Sequence, residues 1–324
     1  MIADFQEYLL MRRPLLDEAF KRTLSGLLGG YSLRDAISLT AALEGGKKLR
    51  GCLSCLISDV LGGLFEAVIP RAIAVELIQA ATLIHDDVVD QDTIRRNRPA
   101  VWTVEGARRA VLIGDVIFAS AIRMMSELSR EDGFAASHTI AEVSKGALHE
   151  PFDPLRMAEE IASGRIDEDL YEKIIYLKTG VLFGTACRLG AIAAGAGSRL
   201  TETSYRYGLR IGEAYQIADD LQEVKQHLLR RSIQPDRMAA LAPAFLHFIR
   251  ETGPYVLAAL QGECTDMDES ASEFFGAAAK LMENEIERRL QSAVSEMEEN
   301  FPDNEYSRVA RKAPGEIIRI FNES

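Results

Sequence analysis

Apolar residues recur three or four positions apart through nearly the whole chain. This is the period of one face of an α-helix, whereas a half-buried strand alternates apolar and polar residues. Strand-like alternation bounded by hairpin turns is hard to find, so the sequence predicts an all-α protein. The spacing predicts helices over 71–92, 105–129, 136–148, 168–195, 201–229 and 275–297. A further helix is expected after Ser32, whose spacing to Asp35 fits a capping box.

The chain shows no Pro- or Ser-rich linker, low-complexity tract or clear internal repeat. A chain of this length buries roughly three quarters of its unfolded surface, so its core needs no disulfide or metal to hold it together. We therefore expect one domain over residues 1–324. Cys52 and Cys55 form a CxxC inside an apolar run, and we interpret them as small core residues of a reduced protein.

The charge balance limits the partners of the chain. There are 37 Lys and Arg against 49 Asp and Glu, a net charge of −12, and a nucleic-acid surface should be basic. No uninterrupted apolar run reaches the ~18–20 residues of a membrane span. The N-terminal residues also lack the basic-then-apolar order of a signal peptide. We expect a cytoplasmic protein that binds no nucleic acid and spans no membrane.

Three acids close the most apolar predicted helix, in LIHDDVVDQD. Asp86 and Asp90 are four residues apart, so they lie on one face about 6 Å apart along the helix axis. Two carboxylates this close repel each other unless a cation lies between them. Mg²⁺ suits such a pair, since it binds one or two carboxylates together with substrate phosphates.

The same i, i+1, i+4 pattern of acids returns in AYQIADDLQE, at the end of another apolar helix. Its acids are Asp219, Asp220 and Glu223. Either cluster alone is typical of a solvated helix end. Two copies favour a binding cavity between helices whose carboxylates face each other.

Cations flank the first acidic cluster on both sides. Lys47, Lys48 and Arg50 follow a glycine pair in GGKKLR, and Arg95-Arg96-Asn97-Arg98 follows the acids. In a protein with a negative net charge, these clusters together indicate a diphosphate ligand held by Arg, Lys and Mg²⁺.

The segments GGKKLR, ELIQAATLIHDDVVDQDTIRRNRP, YLKTG and AYQIADDLQE resemble the trans-isoprenyl diphosphate synthases, or polyprenyl synthetases. The resemblance runs from about residue 40 to 225, and the order of four motifs makes it specific for the fold. It implies an isoprenoid-synthase helical bundle around a central apolar cavity. It also implies a Mg²⁺-dependent transferase that joins isopentenyl diphosphate to an allylic diphosphate head-to-tail, and a homodimer.

The resemblance assigns metal ligands to both acidic motifs. Asp86 and Asp90 would bind two Mg²⁺ ions on the allylic diphosphate, and Asp219 would bind a third. The remaining acids, Asp87, Asp220 and Glu223, would act directly or through metal-bound water.

The resemblance also assigns the substrate contacts. Arg95 and Lys178 would complete the allylic diphosphate site, and Lys47, Arg50 and Arg96 would hold isopentenyl diphosphate. Thr179 and Gln216 would face the reacting carbons, with Tyr215 nearby.

Two positions depart from the family pattern. Gln79 stands where the family usually has a histidine; it can donate a hydrogen bond to phosphate but adds no positive charge. A glycine-lysine loop and a later lysine normally follow the second motif. Here VKQHLLRRSIQPDRMAALAP follows, and Arg230, Arg231 and Arg237 are the cations that could substitute.

Residues one turn before the first acids should line the cavity wall. Ala81 and Thr82 are small, Ile78 lies one turn deeper, and Phe118 and Met124 are candidate floor residues. Because family members with short products tend to carry an aromatic residue there, we expect products of C20 or somewhat longer. The same residues also fit ordinary core positions.

Two other functions remain open at this point. A terpene cyclase of the same fold shares the first motif, but its second metal motif usually mixes Asn, Ser or Thr, and Glu. A non-catalytic synthase subunit would often lose metal ligands. The pair Asp219-Asp220 and the retained GGKKLR favour the condensing enzyme over both.

Overall fold

The computed structural model describes residues 2–28, 45–149, 153–263 and 267–323. Fourteen α-helices lie in these ranges: α1 (Phe5–Leu28), α2 (Leu49–Val60), α3 (Phe65–Val89), α4 (Val101–Glu105), α5 (Ala107–Leu128), α6 (Arg130–His149), α7 (Pro154–Ala162), α8 (Leu170–Ile175), α9 (Val181–Ala193), α10 (Ser198–Arg230), α11 (Pro235–Phe248), α12 (Gly253–Leu260), α13 (Glu269–Asn300) and α14 (Glu305–Asn322). A π-helical turn, Tyr176–Gly180, joins α8 to α9, and a 3₁₀ turn, Arg250–Thr252, precedes α12.

The predicted all-α architecture is confirmed. The sheet within the described ranges is one short antiparallel ladder, in which β1 (Ile94–Arg95) pairs with β2 (Arg98–Pro99). The prediction of a helix after Ser32 lies outside the described residues. The predicted 168–195 helix is interrupted by the π-helical turn, and α3 ends at Val89, with Asp90 as its C-cap.

The helix predicted over 201–229 is confirmed as α10, so the second acidic cluster lies within its helix and does not end it. The helix α10 continues past Asp219 to Arg230. Its later turns still bury side chains, since Val224 is fully buried and His227 nearly so. Continued burial of one face keeps the helix packed beyond the acids.

The core consists of two clusters of buried apolar side chains. One is built mainly on α1, α2, α3, α5 and α9, and the other on α10, α11, α12 and α13. Tyr215 of α10 packs against both clusters. The two helices that carry the acidic motifs therefore belong to adjoining parts of one packed interior.

The helix α3 is buried along most of its length. By length and composition alone it is the one helix of the described ranges that could cross a membrane. However, 61% of its most apolar window is buried inside the structure, which is the behaviour of a core helix in a bundle.

A close backbone approach brings the π-helical turn against α10. A Cβ built on Gly212 would lie 2.8 Å from the Cα of Gly180 and 3.0 Å from the carbonyl oxygen of Thr179. Real Cβ atoms do not tolerate the shorter distance. The glycine therefore sets how closely the turn that carries Lys178 and Thr179 meets the second acidic motif.

We expect Gly212→Ala to destabilise the protein by about 1–3 kcal/mol, since the added methyl group overpacks this contact. Gly276→Ala is the matched control, because Gly276 lies in the exposed middle of α13 with nothing within 4 Å of its Cβ position. That change should stabilise by about 0.5–1 kcal/mol. Urea unfolding measures both, and equal midpoints for the two variants would contradict the assignment.

Candidate active site

The first acidic motif forms the last turn of α3. Asp87 is buried, and its carboxylate accepts a hydrogen bond of 2.7 Å from the Nε of Arg95. A terminal guanidinium nitrogen of Arg95 pairs with Asp92 at 3.2 Å. Asp86 is half-buried and Asp90 is exposed. The buried acid thus fixes Arg95 to the end of α3, while the other two lie one helical turn apart beside it.

The second acidic motif lies on α10, with its acids in different surroundings. Asp219 is solvent-accessible. Asp220 accepts hydrogen bonds from the hydroxyl of Tyr171 at 2.8 Å and from the amide of Gln216 at 3.1 Å. Burial raises the pKa of Asp220 to about 7, although these hydrogen bonds favour its ionised form. Asp219 and Asp220 therefore offer different chemistry despite being adjacent.

The charge of Lys178 acts on acids of both acidic motifs. Loss of surrounding water raises the pKa of Asp90 and of Asp219, and the Lys178 ammonium opposes the rise at both carboxylates. Asp90 belongs to α3 and Asp219 to α10. The charge of one lysine therefore reaches an acid of each motif, although the two acids belong to different helices.

The π-helical turn presents its side chains to α10. Thr179 is buried and donates a hydrogen bond of 2.6 Å from its hydroxyl to the Oε1 of Gln216. Lys178 is exposed at the same turn. Single turns of π-helix are frequent at functional sites, and here the turn places Lys178 and Thr179 next to each other at the second motif.

Arg50 and Arg96 lie together next to Tyr215. Burial lowers the pKa of both guanidinium groups, and the charge of Arg96 lowers the pKa of Arg50 further. The guanidinium of Arg50 lies over the Phe183 ring at 4.3 Å, and its buried Nε has no hydrogen-bond partner among the described residues. Two neighbouring guanidinium groups with an unsatisfied donor favour an anionic ligand.

Gly46 lets Arg96 approach the backbone. Its φ is +76°, and a Cβ there would lie 2.7 Å from a guanidinium nitrogen of Arg96. Only glycine permits both the backbone angle and the contact. The glycine pair of GGKKLR therefore shapes the surroundings of Arg96.

The two lysines of GGKKLR point to other partners. Lys47 donates from its ammonium to the carbonyl oxygen of Ile320, near the carboxyl end of α14. Lys48 is buried, 3.9 Å from Glu76 and 3.9 Å above the Phe20 ring. The structure thus groups the predicted residues Arg50, Arg96 and Tyr215, and it places Lys47 against the C-terminal helix.

The residues predicted to line a chain-length pocket are packed in the interior. Ile78 and Ala81 are fully buried, and Thr82 is half-buried. Gln79 lies beside Thr82, whose hydroxyl donates to the Gln79 carbonyl at 2.9 Å. Phe118 meets His85 edge-on at 5.4 Å, and Met124 packs against the same core. Their role in setting product length stays a prediction.

Sequence reasoning missed several residues that shape this site. Tyr171 and the buried Arg289 carry no motif. Glu76 accepts from the backbone amide of Gly51 at 2.8 Å, and an acid inside so apolar a helix was a usable signal.

Arg237 lies 3.7 Å from Glu223 and its charge also reaches Asp90, whereas Arg230 and Arg231 are exposed at the end of α10.

The donor chemistry of the site fits Mg²⁺. Within the described ranges, no three His, Cys, Asp or Glu side chains come together to hold an ion. Mg²⁺ is usually bound through one or two carboxylates together with phosphate oxygens and water, not by a full protein cage. Asp86, Asp90 and Asp219 therefore suit ions that bind together with a phosphate ligand.

Comparison with known proteins identifies the class. The model of the polyprenyl synthetase family matches residues 33–228, and the chain belongs to that family. The resemblance found in the sequence is thereby confirmed.

Three curated relatives are similar over parts of their length. The geranylgeranyl diphosphate synthase of Methanosarcina mazei is 33% identical over 55% of this chain and 54% of its own. The geranylfarnesyl diphosphate synthase of Aeropyrum pernix is 35% identical over 57% and 59%. The geranylgeranyl diphosphate synthase of Mycobacterium tuberculosis is 33% identical over 64% and 60%. Each match spans less than two thirds of the relative.

Solved structures share the fold over nearly the whole chain. A geranylgeranyl pyrophosphate synthase superposes with a TM-score of 0.75 at 22% identity, covering 94% of this chain and 98% of its own. The heptaprenyl diphosphate synthase of Staphylococcus aureus gives 0.74 at 18% identity, covering 96% and 98%. The isoprenoid-synthase helical bundle predicted from the sequence is confirmed.

We expect Arg50→Met to weaken binding of inorganic diphosphate in the presence of Mg²⁺ by about tenfold or more, because a charged hydrogen-bond donor is lost. Arg188→Met is the matched control. Arg188 also stacks on an aromatic ring, Tyr205 at 4.1 Å, but it pairs with Glu202 on the surface. Titration calorimetry measures both affinities. Unchanged affinity in Arg50→Met would remove this residue from the anion site.

Proposed function

We propose that this chain is a prenyltransferase that condenses isopentenyl diphosphate with an allylic diphosphate, head-to-tail, to a longer trans-polyprenyl diphosphate. The single observation that carries the proposal is the position of Lys178, whose charge acts on Asp90 of α3 and on Asp219 of α10. A cation between opposed carboxylates is the arrangement needed to bind a diphosphate together with metal ions. The relatives are named as synthases of such diphosphates.

The metal ions of the proposal are three Mg²⁺. Asp86 and Asp90 would hold two and Asp219 the third, with Asp87, Asp220 and Glu223 acting directly or through water. Bound Mg²⁺ would supply positive charge that stabilises the departing diphosphate. A polyprenyl synthase from Caulobacter crescentus was crystallised with calcium and isoprenyl diphosphate; it matches this chain with a TM-score of 0.68 at 22% identity over 96% of this chain and 97% of its own.

The residues of this chain would bind and orient both substrates. Lys178 and Arg95 would bind the allylic diphosphate, whose C–O bond breaks with both electrons leaving on diphosphate. Arg50, Arg96 and Lys47 would bind isopentenyl diphosphate, with Gln79 as a hydrogen-bond donor. The double bond of isopentenyl diphosphate attacks the allylic carbon, and the released diphosphate accepts the proton lost in the last step. Water must be excluded while the allylic carbon is positive.

Two side chains would face the reacting carbons. Thr179 and Gln216 are buried and hydrogen-bonded to each other at 2.6 Å. Their oxygen atoms would lie beside the developing positive charge, with Tyr215 nearby. Fixed dipoles of this kind stabilise a charged transition state without reorganising.

We further propose that residues 1–324 act as one domain, that the protein works in the cytoplasm and that it forms a homodimer. Products of C20 or somewhat longer are supported by the names of the relatives, which include geranylgeranyl, geranylfarnesyl and heptaprenyl diphosphate synthases.

The proposal is tested with the purified full chain, Mg²⁺, isopentenyl diphosphate and C5, C10 or C15 allylic diphosphates. We expect longer diphosphates, and we expect Asp219→Asn to lower turnover at least about 100-fold because a metal-binding charge is removed. Asp303→Asn is the control, since Asp303 pairs with Arg311 at 3.2 Å on the surface, and it should keep full activity.

Other outcomes of this assay point to other functions. A cyclic hydrocarbon formed without isopentenyl diphosphate would replace the proposal with a terpene cyclase. Absence of turnover, with altered products when an active synthase is added, would indicate a modulating subunit.

Product length is tested by Ala81→Phe. The ring should block the cavity below the acids and shorten the products by one or more isoprene units. Because Ala81 is fully buried, the half-buried Thr82→Phe serves as a second variant, and thermal melting checks that both fold. If both variants fold and their product lengths are unchanged, Ala81 and Thr82 do not line the pocket that sets product length.

A further inference from the structure

Tyr171 is a buried tyrosine whose hydroxyl is directed at the second acidic motif. It is 3% exposed, on the first turn of α8. Its ring lies against His247 at 5.4 Å and Phe248 at 5.6 Å. These contacts fix the direction of the hydroxyl, which donates to Asp220 at 2.8 Å.

The hydroxyl starts a chain of hydrogen bonds that ends at the π-helical turn. Asp220 accepts from Tyr171 on one oxygen and from the amide nitrogen of Gln216 on the other. Because the amide nitrogen of Gln216 faces Asp220, its amide oxygen is directed at Thr179, from which it accepts a hydrogen bond of 2.6 Å. Since an amide offers donors on nitrogen and only an acceptor on oxygen, each bond determines the direction of the next.

Glu172, the residue after Tyr171, binds α8 to a second helix, α13. Glu172 receives two hydrogen bonds from Arg289 of α13, at 2.6 and 2.8 Å. Arg289 is 2% exposed and also donates to Glu213 of α10 and to Glu285. Glu213 lies one turn before Gln216. A buried arginine thus ties α8 and α10 to α13, which lies beyond the part matched by the family model.

We propose that Tyr171 is a positioning residue that orients Gln216 and Thr179 through Asp220. It acts through Asp220, which accepts the hydrogen bond of its hydroxyl, and not by touching the reacting atoms. The kinetic consequence rests on the proposed function, whereas the orientation itself does not. Asp220 accepts from a protein donor on each oxygen, and it therefore orients Gln216 in addition to its proposed action on a metal ion.

The test is Tyr171→Phe, which removes one oxygen atom and keeps the ring. Tyr207→Phe is the matched control. Tyr207 is also fully buried, lies on α10 and donates to the carbonyl of Ala310 at 2.7 Å. Both variants should lose similar thermal stability. A merely structural role for Tyr171 would therefore give the same kinetics for both.

We expect Tyr171→Phe to lower kcat about tenfold, since an oriented pair beside the reacting carbons is released. The KM for isopentenyl diphosphate should stay within about twofold, because Arg50 and Arg96 are outside this chain of bonds, and Tyr207→Phe should keep the wild-type kcat. An unchanged kcat in Tyr171→Phe, or an equal loss in both variants, would overturn the inference.

A crystal structure of Tyr171→Phe tests the orientation without any turnover. We expect the Gln216 amide to rotate and its oxygen to leave Thr179. Retention of that hydrogen bond would overturn the inference, even if the wild-type protein proved to be an active synthase. Conversely, a wild-type protein without transferase activity would refute only the proposed function, and the rotation of Gln216 would still decide the positioning role.

Discussion

Two groups of acids, at the end of α3 and along α10, carry negative charge that Lys178 only partly offsets, and the site depends on this imbalance. Asp90 of α3 and Asp219 of α10 both lie near Lys178, and loss of water raises the pKa of each. The Lys178 ammonium opposes this rise in pKa at both carboxylates. In the proposed function, the remaining negative charge would attract cations, and the cations in turn would attract diphosphate. The negative charge of these acids that no protein cation neutralises is what would attract metal ions.

The helices around the acids fix Lys178 in this place. The π-helical turn carries it, and the absence of a side chain at Gly212 lets that turn approach α10. Tyr171 and Glu172 join α8 to α10 and α13 through buried hydrogen bonds. A buried ion pair contributes little net stability in many proteins, but it specifies one arrangement where others would be uncompensated. Here Arg289 specifies how α8, α10 and α13 are arranged, because its pairs with Glu172 and Glu213 form only in that arrangement.

Much of this was predictable from the sequence, because long apolar helices and paired acids are local patterns. The all-α fold follows from spacing, and the pairing of Arg50 with Arg96 follows from the family resemblance. Long-range partners were not predictable. Arg289 meets Glu172 and Glu213 from distant parts of the chain, and the partner of Lys47 is a carbonyl of α14. The continuation of α10 past its acids, by contrast, lay within the helix that the spacing predicts over 201–229.

The central claim is that α3 and α10 jointly hold metal ions around one diphosphate. The most direct measurement is a crystal structure with Mn²⁺ in place of Mg²⁺ and an unreactive allylic thiodiphosphate, with the manganese located by anomalous scattering. The account predicts manganese bound to Asp86 and Asp90 on one side of the diphosphate and to Asp219 on the other. Manganese confined to one helix, or a diphosphate bound away from Lys178, would contradict it.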